Sequence, residues 1–385
     1  MLLSFKSPIS NPFGAAAGAI GGDALLSQIS NLKSLQGQKS GCKWRRHSSP
    51  SPCHLFPVPY SLFPVTYPQA KRHNMIVTVT LNPAIDKSLT APRFEVGKTN
   101  RGEVRQTDAG GKGINVAKAV KQFGAEVCAL GFVAGSNGHF ILEALAAGSI
   151  PADFINVPGE TRVNLKIHDP VYVTETELNE PGFQVFPEHL QAMKQKIKEY
   201  GPRCDVMIFS GSLPPGAPPQ TFAELITIAS ALGAKCMLDT AGPALRYGLE
   251  AEPLLLKPNR AEVEGLLQRR LTTRSELAGA ARKLLAMGAG EAVISLGADG
   301  AVAATEHDLL SARPPAVVPR SSVGAGDAMV AALAYGEVNH LSFRDSFCLA
   351  IAASAAAVTM EGSKVADLAL IHSLLPQVEM SVVSG

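Results

Sequence analysis

No segment of this 385-residue chain is long and apolar enough to cross a bilayer. The nearest approach, Leu349–Val358, is alanine-rich and falls well short of the roughly 18–20 residues required. A dominant charge is missing too. Lys and Arg number 35 against 33 Asp and Glu, a formal net charge of +2, which excludes the broad basic face of a nucleic-acid-binding protein. Paired cysteines are absent: the six (Cys42, Cys53, Cys128, Cys204, Cys236, Cys348) lie far apart, with no Cys-x-x-Cys and no Cys/His ligand spacing. A zinc site and a disulfide framework are therefore not expected. Cys128, Cys204 and Cys236 sit in apolar stretches as core thiols do, and the expected compartment is reducing and cytoplasmic.

Acid is scarce in one region. The first 74 residues hold a single acid, Asp23, among eight Lys and Arg, and "SSPSPCHLFPVPYSLFPVTYP" breaks helices and strands alike. This extension is expected to be disordered. Two readings suit it: a start placed too far upstream, with the ordered protein beginning at Met75, or a basic, Ser-rich targeting segment. The first is preferred, and residues 75–385 are expected to form one domain.

From Met75 onward the chain is rich in what a sheet protein needs. Short β-branched runs (Ile76–Leu81, Val127–Phe132, Val206–Phe209, Cys236–Leu238, Leu254–Leu256, Ala292–Leu296) alternate with stretches of helical spacing (Gly113–Phe123, Ala217–Leu232, Glu262–Gln268, Ser275–Met287). Nearly continuous apolar strands between helices predict an α/β fold, a mostly parallel sheet with helices on both faces. Ligands of such sheets bind at the carboxyl ends of the strands. Two polar stretches, 87–108 and 161–184, break the alternation and read as antiparallel strands of a small appended sheet, a candidate lid.

Several strand ends carry polar groups. Asp86 follows the first strand in "NPAID", as a turn or capping acid or as an acceptor for ligand hydroxyls. "AGGKGINVAKAV" places Gly110, Gly111, Lys112, Gly113 and Asn115 at a helix mouth, where free N–H groups and a cation suit an anion. It lacks Walker A spacing. "TRVNLKI" sets Arg162, Asn164 and Lys166 on one strand face, and "SGSLPPG" supplies Ser210, Gly211 and Ser212. "LKPNRAEVE" supplies Lys257, Asn259 and Glu262; Asn-x-x-Glu is either a helix cap or a pair that orients waters around Mg²⁺. "SLGADGAV", from Ser295 through Gly297 and Gly300, is a hairpin turn or a flat backbone surface for a nucleotide. "SVGAGDAM" aims the N–H groups of Gly324, Ala325 and Gly326 at one point. Asp327 follows in the first helical turn, where the helix dipole is expected to keep it ionised as a competent base. A dinucleotide fold is excluded, since Met329 replaces the third glycine and no clean strand precedes.

In this order the seven motifs resemble the carbohydrate kinase family typified by ribokinase, closest to its phosphosugar branch, over about 75–378. The resemblance implies a ribokinase-like fold with a small β-sheet lid, ATP and Mg²⁺ as cofactors, and a sugar phosphate as acceptor. Fructose 1-phosphate is the expected acceptor, with tagatose 6-phosphate or fructose 6-phosphate as alternatives. It implies Asp327 as base and Gly324–Gly326 as anion hole. Asn259 and Glu262 would hold Mg²⁺ through water, and Lys257, Ser295, Gly297 and Gly300 would border the nucleotide. Asp86, Gly110, Gly111, Asn115, Asn164 and Ser212 would grip the sugar. Arg162 and Lys112, with Lys98 or Lys166, would bind its phosphate. It also implies a homodimer through the lid sheets. Family members commonly carry Ser after the acid, where this chain has Ala328. A catalytically inactive sugar-phosphate sensor is the alternative from another class, and the intact Asp327 motif argues against it.

Overall fold

The computed structural model describes residues 74–321 and 323–383 and the backbone of Lys43 and Trp44. Apart from that pair and Asn74, the N-terminal extension expected to be disordered lies outside the described residues. In chain order, β1 (Lys43–Trp44) precedes β2 (Met75–Thr80), β3 (Ala84–Thr90), β4 (Glu103–Gly110) and α1 (Lys112–Gln122). Then come β5 (Glu126–Val133), α2 (Gly135–Ala147), β6 (Ala152–Asn156), β7 (Arg162–Asp169), β8 (Thr174–Asn179) and α3 (Pro187–Tyr200). The centre comprises β9 (Val206–Ser210), α4 (Thr221–Ala231), β10 (Lys235–Asp239), α5 (Gly242–Leu249), β11 (Leu255–Leu256), α6 (Arg260–Leu267) and α7 (Arg274–Ala286). The remainder is β12 (Glu291–Ser295), β13 (Ala301–Ala304), β14 (Leu309–Arg313), α8 (Ala325–Val338), α9 (Phe343–Ala357), α10 (Leu368–Leu374) and β15 (Glu379–Val382).

Eleven strands form the main sheet, in the order β1-β15-β14-β13-β12-β11-β10-β9-β2-β5-β6. From β12 to β6 every pairing is parallel; β12 to β15 pair antiparallel at one side. Alternate strand residues feed opposite layers. Ile76, Ile208, Met237 and Val293 pack with α1, α8 and α9, whereas Val77, Phe209, Leu238 and Ile294 pack with α3, α4, α5 and α7. Burial on both faces explains why these strands read as unbroken apolar runs.

The polar stretches do form a separate four-stranded sheet, in the order β4-β3-β7-β8. One expectation is corrected: β3 and β7 pair parallel, not antiparallel. Both strands leave carboxyl ends of main-sheet strands, β2 and β6, and so set out in the same direction. Of the cysteines, Cys128, Cys204 and Cys236 are buried free thiols as expected. Cys348 is disulfide-bonded, a pairing that cysteine spacing could not reveal. Among the described residues no helix is long and apolar enough to cross a membrane.

Candidate active site

The carboxyl ends of β2, β9 and β10, the start of α8 and one face of the small sheet enclose a cavity of about 700 Å³. It is lined by Asp86, Gly111, Lys112, Asn115, Arg162, Asn164, Lys166, Ser212, Glu262 and Asp327. Residues more than 200 positions apart thus meet around one space. Gly110, Lys257, Asn259, Ser295, Gly297, Gly300 and Gly324–Gly326 do not line it, and Lys98 is exposed elsewhere.

Asp327 lies in the first turn of α8, which starts from Gly324 in the left-handed region at φ 80°. The Ala328 N–H returns to the Gly324 carbonyl at 2.8 Å, so the N–H groups of Ala325, Gly326 and Asp327 precede the helical ladder and are open to an anion. The helix start does not keep Asp327 in the ordinary carboxylate range, as position alone suggested. The residue is 7% exposed. Burial, with the Asp239 charge, pushes its carboxyl up to about 6 against the Asn115 hydrogen bond and the nearby lysines. Asn115 Nδ2 donates to Asp327 Oδ2 at 2.9 Å and aims the carboxylate.

Behind Asp327 lies an ionic triad centred on a buried carboxylate. Asp239, the last residue of β10, accepts from Lys112 Nζ at 2.9 Å and faces Lys257 Nζ at 3.4 Å. Burial disfavours the Asp239 carboxylate, but Lys257 and Lys112 outweigh it and hold its pKa below the usual range. Burial likewise works against the Lys112 ammonium, and Asp239 and Glu262 outweigh it and raise the pKa. Lys257 also borders the glycine turn: a Cβ on Gly326 would lie 3.3 Å from its Nζ. Sequence reasoning missed Asp239, although it too sits at the carboxyl end of a buried strand.

The small sheet supplies the opposite wall. Asp86 pairs in register with Asn164 and accepts its Nδ2 at 2.9 Å. Burial raises the Asp86 pKa against this bond and the cations Lys118 and Arg162. Arg162 donates to the carbonyls of Asn82 (3.1 Å), Glu180 (3.2 Å) and Pro83 (3.4 Å), which stake its guanidinium at the junction of the two sheets. Lys166 is held between Glu175 (3.1 Å) and Glu177 (3.2 Å). Asn82, also missed, is buried there and donates to Pro181 O at 3.1 Å.

Asn259 and Glu262 form a reciprocal capping box on α6: Glu262 N donates to Asn259 Oδ1 at 2.9 Å and Asn259 N to Glu262 Oε2 at 2.8 Å. Glu262 Oε1 faces Lys112 at 3.9 Å and the cavity. Among the described residues no cluster of three or more His, Cys, Asp or Glu side chains can hold a metal. Glu262 Oε1 is a carboxylate oxygen on this cavity that could meet a hydrated Mg²⁺ ion. Gly300 has a structural reason to be glycine, since at φ 88° a Cβ would lie 2.0 Å from Ala312 O. Nothing lies within 4 Å of a Cβ on Gly297, which leaves that backbone open.

A buried carboxylate beside free helix N–H groups, with a second carboxylate lining the same cavity, is the arrangement of a phosphotransferase site. Residues 74–368 match the pfkB family carbohydrate kinase, and the chain belongs to that family. Among curated proteins it is 39% identical over 284 residues to the 1-phosphofructokinase of Rhodobacter capsulatus, covering 74% of this chain and 90% of that one. It is 33% identical over 305 residues to the 1-phosphofructokinase of Escherichia coli K12, covering 79% and 97%. Among solved structures, phosphofructokinase-2 from Escherichia coli in complex with substrates and products superposes with a TM-score of 0.75 at 28% identity. That match covers 79% of this chain and 99% of that one.

Proposed function

We propose that this chain transfers the γ-phosphoryl group of ATP to fructose 1-phosphate, giving fructose 1,6-bisphosphate and ADP. The observation that carries the reading is Asp327: a carboxylate with a pKa near 6, aimed by Asn115, between a glycine N–H turn and the Asp86–Asn164 wall. Asp86, Asn164 and Asn115 hold the sugar hydroxyls and direct the C6 hydroxyl at Asp327. Asp327 accepts that proton as the oxygen attacks the γ-phosphorus and the bond to the β-phosphate oxygen breaks. The N–H groups of Ala325, Gly326 and Asp327 stabilise the charge spread over the moving phosphoryl oxygens. Lys257 adds a cation beside them. Glu262 would hold Mg²⁺ through water, and the ion would supply positive charge against the phosphates. Ser295, Gly297 and Gly300 border the nucleotide, and Arg162 and Lys112 attract the phosphate already on the sugar.

The relatives named 1-phosphofructokinase support the acceptor choice. ADP release coupled to an indicator enzyme, run with fructose 1-phosphate, fructose 6-phosphate and tagatose 6-phosphate, tests it. Fructose 1-phosphate is expected to give the highest kcat/KM, and a higher value on either 6-phosphate overturns the assignment. The proposed assembly is a homodimer through the small sheets. Register places Leu89, Ile167, Leu165, Leu178 and Val104 on the face opposite Asp86, and Val104 and Leu178 are 55% and 63% exposed.

A further inference from the structure

We propose that Ser363, in the segment between α9 and α10, is a positioning residue that ties the sugar-binding end of the small sheet to the phosphoryl end of the site. The proposal rests on the kinase reading above. Asp108 of β4 stands directly across the ladder from Asp86, and like charges so placed repel. One oxygen of Asp108 collects the donors that answer this. Oδ2 accepts from Ser363 Oγ at 3.2 Å, from Ser363 N at 3.4 Å and from Gln106 Nε2 at 2.5 Å. From the other side Lys118 of α1 donates to the neighbouring Ala109 carbonyl at 2.5 Å. The base of β4 is therefore pinned to the body twice, immediately before the Gly110–Gly111 turn into α1.

The left-handed backbone of this segment favours glycine. Gly362 has φ 60°, and a Cβ there would lie 2.7 Å from Gln106 Nε2 and 2.9 Å from Asp108 Oδ2. Gly362 and Ser363 both line the main cavity beside Asp108. Ser363 also shares a second, small cavity of about 20 Å³ with Asn115, Gly324 and Ala328. Asn115 aims the Asp327 carboxylate, and Gly324 opens the N–H turn. A buried serine thus touches the acid next to the sugar grip on one side and borders the phosphoryl machinery on the other. Neither group would hold its spacing as well if the segment between them were loose.

Steady-state kinetics of Ser363→Ala, Asp108→Asn and the double variant test the role, together with hydrogen exchange of residues 84–110 in the unliganded proteins. Each single change is expected to raise KM for the sugar phosphate about 5–10-fold, the net worth of an ordinary hydrogen bond. KM for ATP should change by less than about 2-fold on the same scale. Ser363→Ala removes one of the three donors to Asp108, so the double variant should be no worse than Asp108→Asn alone. Ser363→Thr, which keeps the hydroxyl, should restore most of the loss. Amides of 84–110 should exchange faster in Ser363→Ala than in the parent. Additive effects in the double variant, or unchanged exchange, overturn the proposal. If the parent protein phosphorylates no fructose phosphate, the functional reading fails while the exchange result still decides the Asp108–Ser363 role.

Discussion

Asp327 meets two demands that oppose each other. A base must reach the acceptor hydroxyl in a site closed to water, yet closing the site raises the free energy of its charge. Burial lifts its pKa to about 6, near the working range of a general base. Activity should therefore fall with kcat/KM dropping about tenfold per unit as pH decreases below 6, where Asp327 is protonated. Asn115→Ala removes a hydrogen bond that favours the charged form, so the acid limb of the profile should move to higher pH. Asp327→Asn should lower kcat by about 10²–10⁴-fold and leave sugar-phosphate affinity by calorimetry nearly unchanged. The same variant should be more stable. A carboxyl with a raised folded pKa carries no penalty below its unfolded value of 3.8, a growing one between 3.8 and about 6, and the full penalty above that. Removing the charge should add about 2–3 kcal/mol at pH 7.5 by urea unfolding, and the gain should vanish below pH 4. Asp239 has the opposite sign. Among the described residues it is the one acid in a salt bridge with Lys257, itself 4% exposed, so Asp239→Asn takes the closest counter-charge from a buried cation and should cost about 3–5 kcal/mol.

Elements show how one motif serves two purposes. The Asn259–Glu262 capping box explains why α6 begins where it does, and Asn259→Ala should cost about 1 kcal/mol of stability. Glu262→Gln should instead raise KM for MgATP about tenfold, because Glu262 alone of the pair lines the cavity; an unchanged KM would confine the pair to capping. Sequence reasoning had both roles in view and could not separate them, since helix caps and phosphate sites use the same residue types. Helices α1, α6 and α7 were legible from their polar faces and caps. Helix α8 was expected from its glycine turn and the apolar run behind it, whereas α9 was not: "LAIAASAAA" is apolar all round because it packs on the sheet and on α8, and a helix without a polar face leaves no periodicity to read. The parallel pairing of β3 with β7 was equally hidden, because direction in a sheet depends on where the connections run.

At the scale of the molecule, exposed apolar residues on the outer face of the small sheet favour a second copy. Val104→Asp with Leu178→Asp should convert a dimer to a monomer in sedimentation equilibrium; a parent protein that sediments as a monomer overturns the assembly. What the amino-acid sequence by itself determined was chiefly local: the α/β alternation, the glycine turns, and the acids and amides at strand ends that identify the family. Those properties depend on neighbours within a few residues, so they survive without coordinates. The tertiary structure alone decided which polar residues share a space and what that space does to them. Asp239, Asp108 and Ser363 carry no motif, and their roles come from contacts across the chain. The pKa of Asp327 moved upward although its helix position argued the reverse, because burial depends on everything folded around it and the helix end does not.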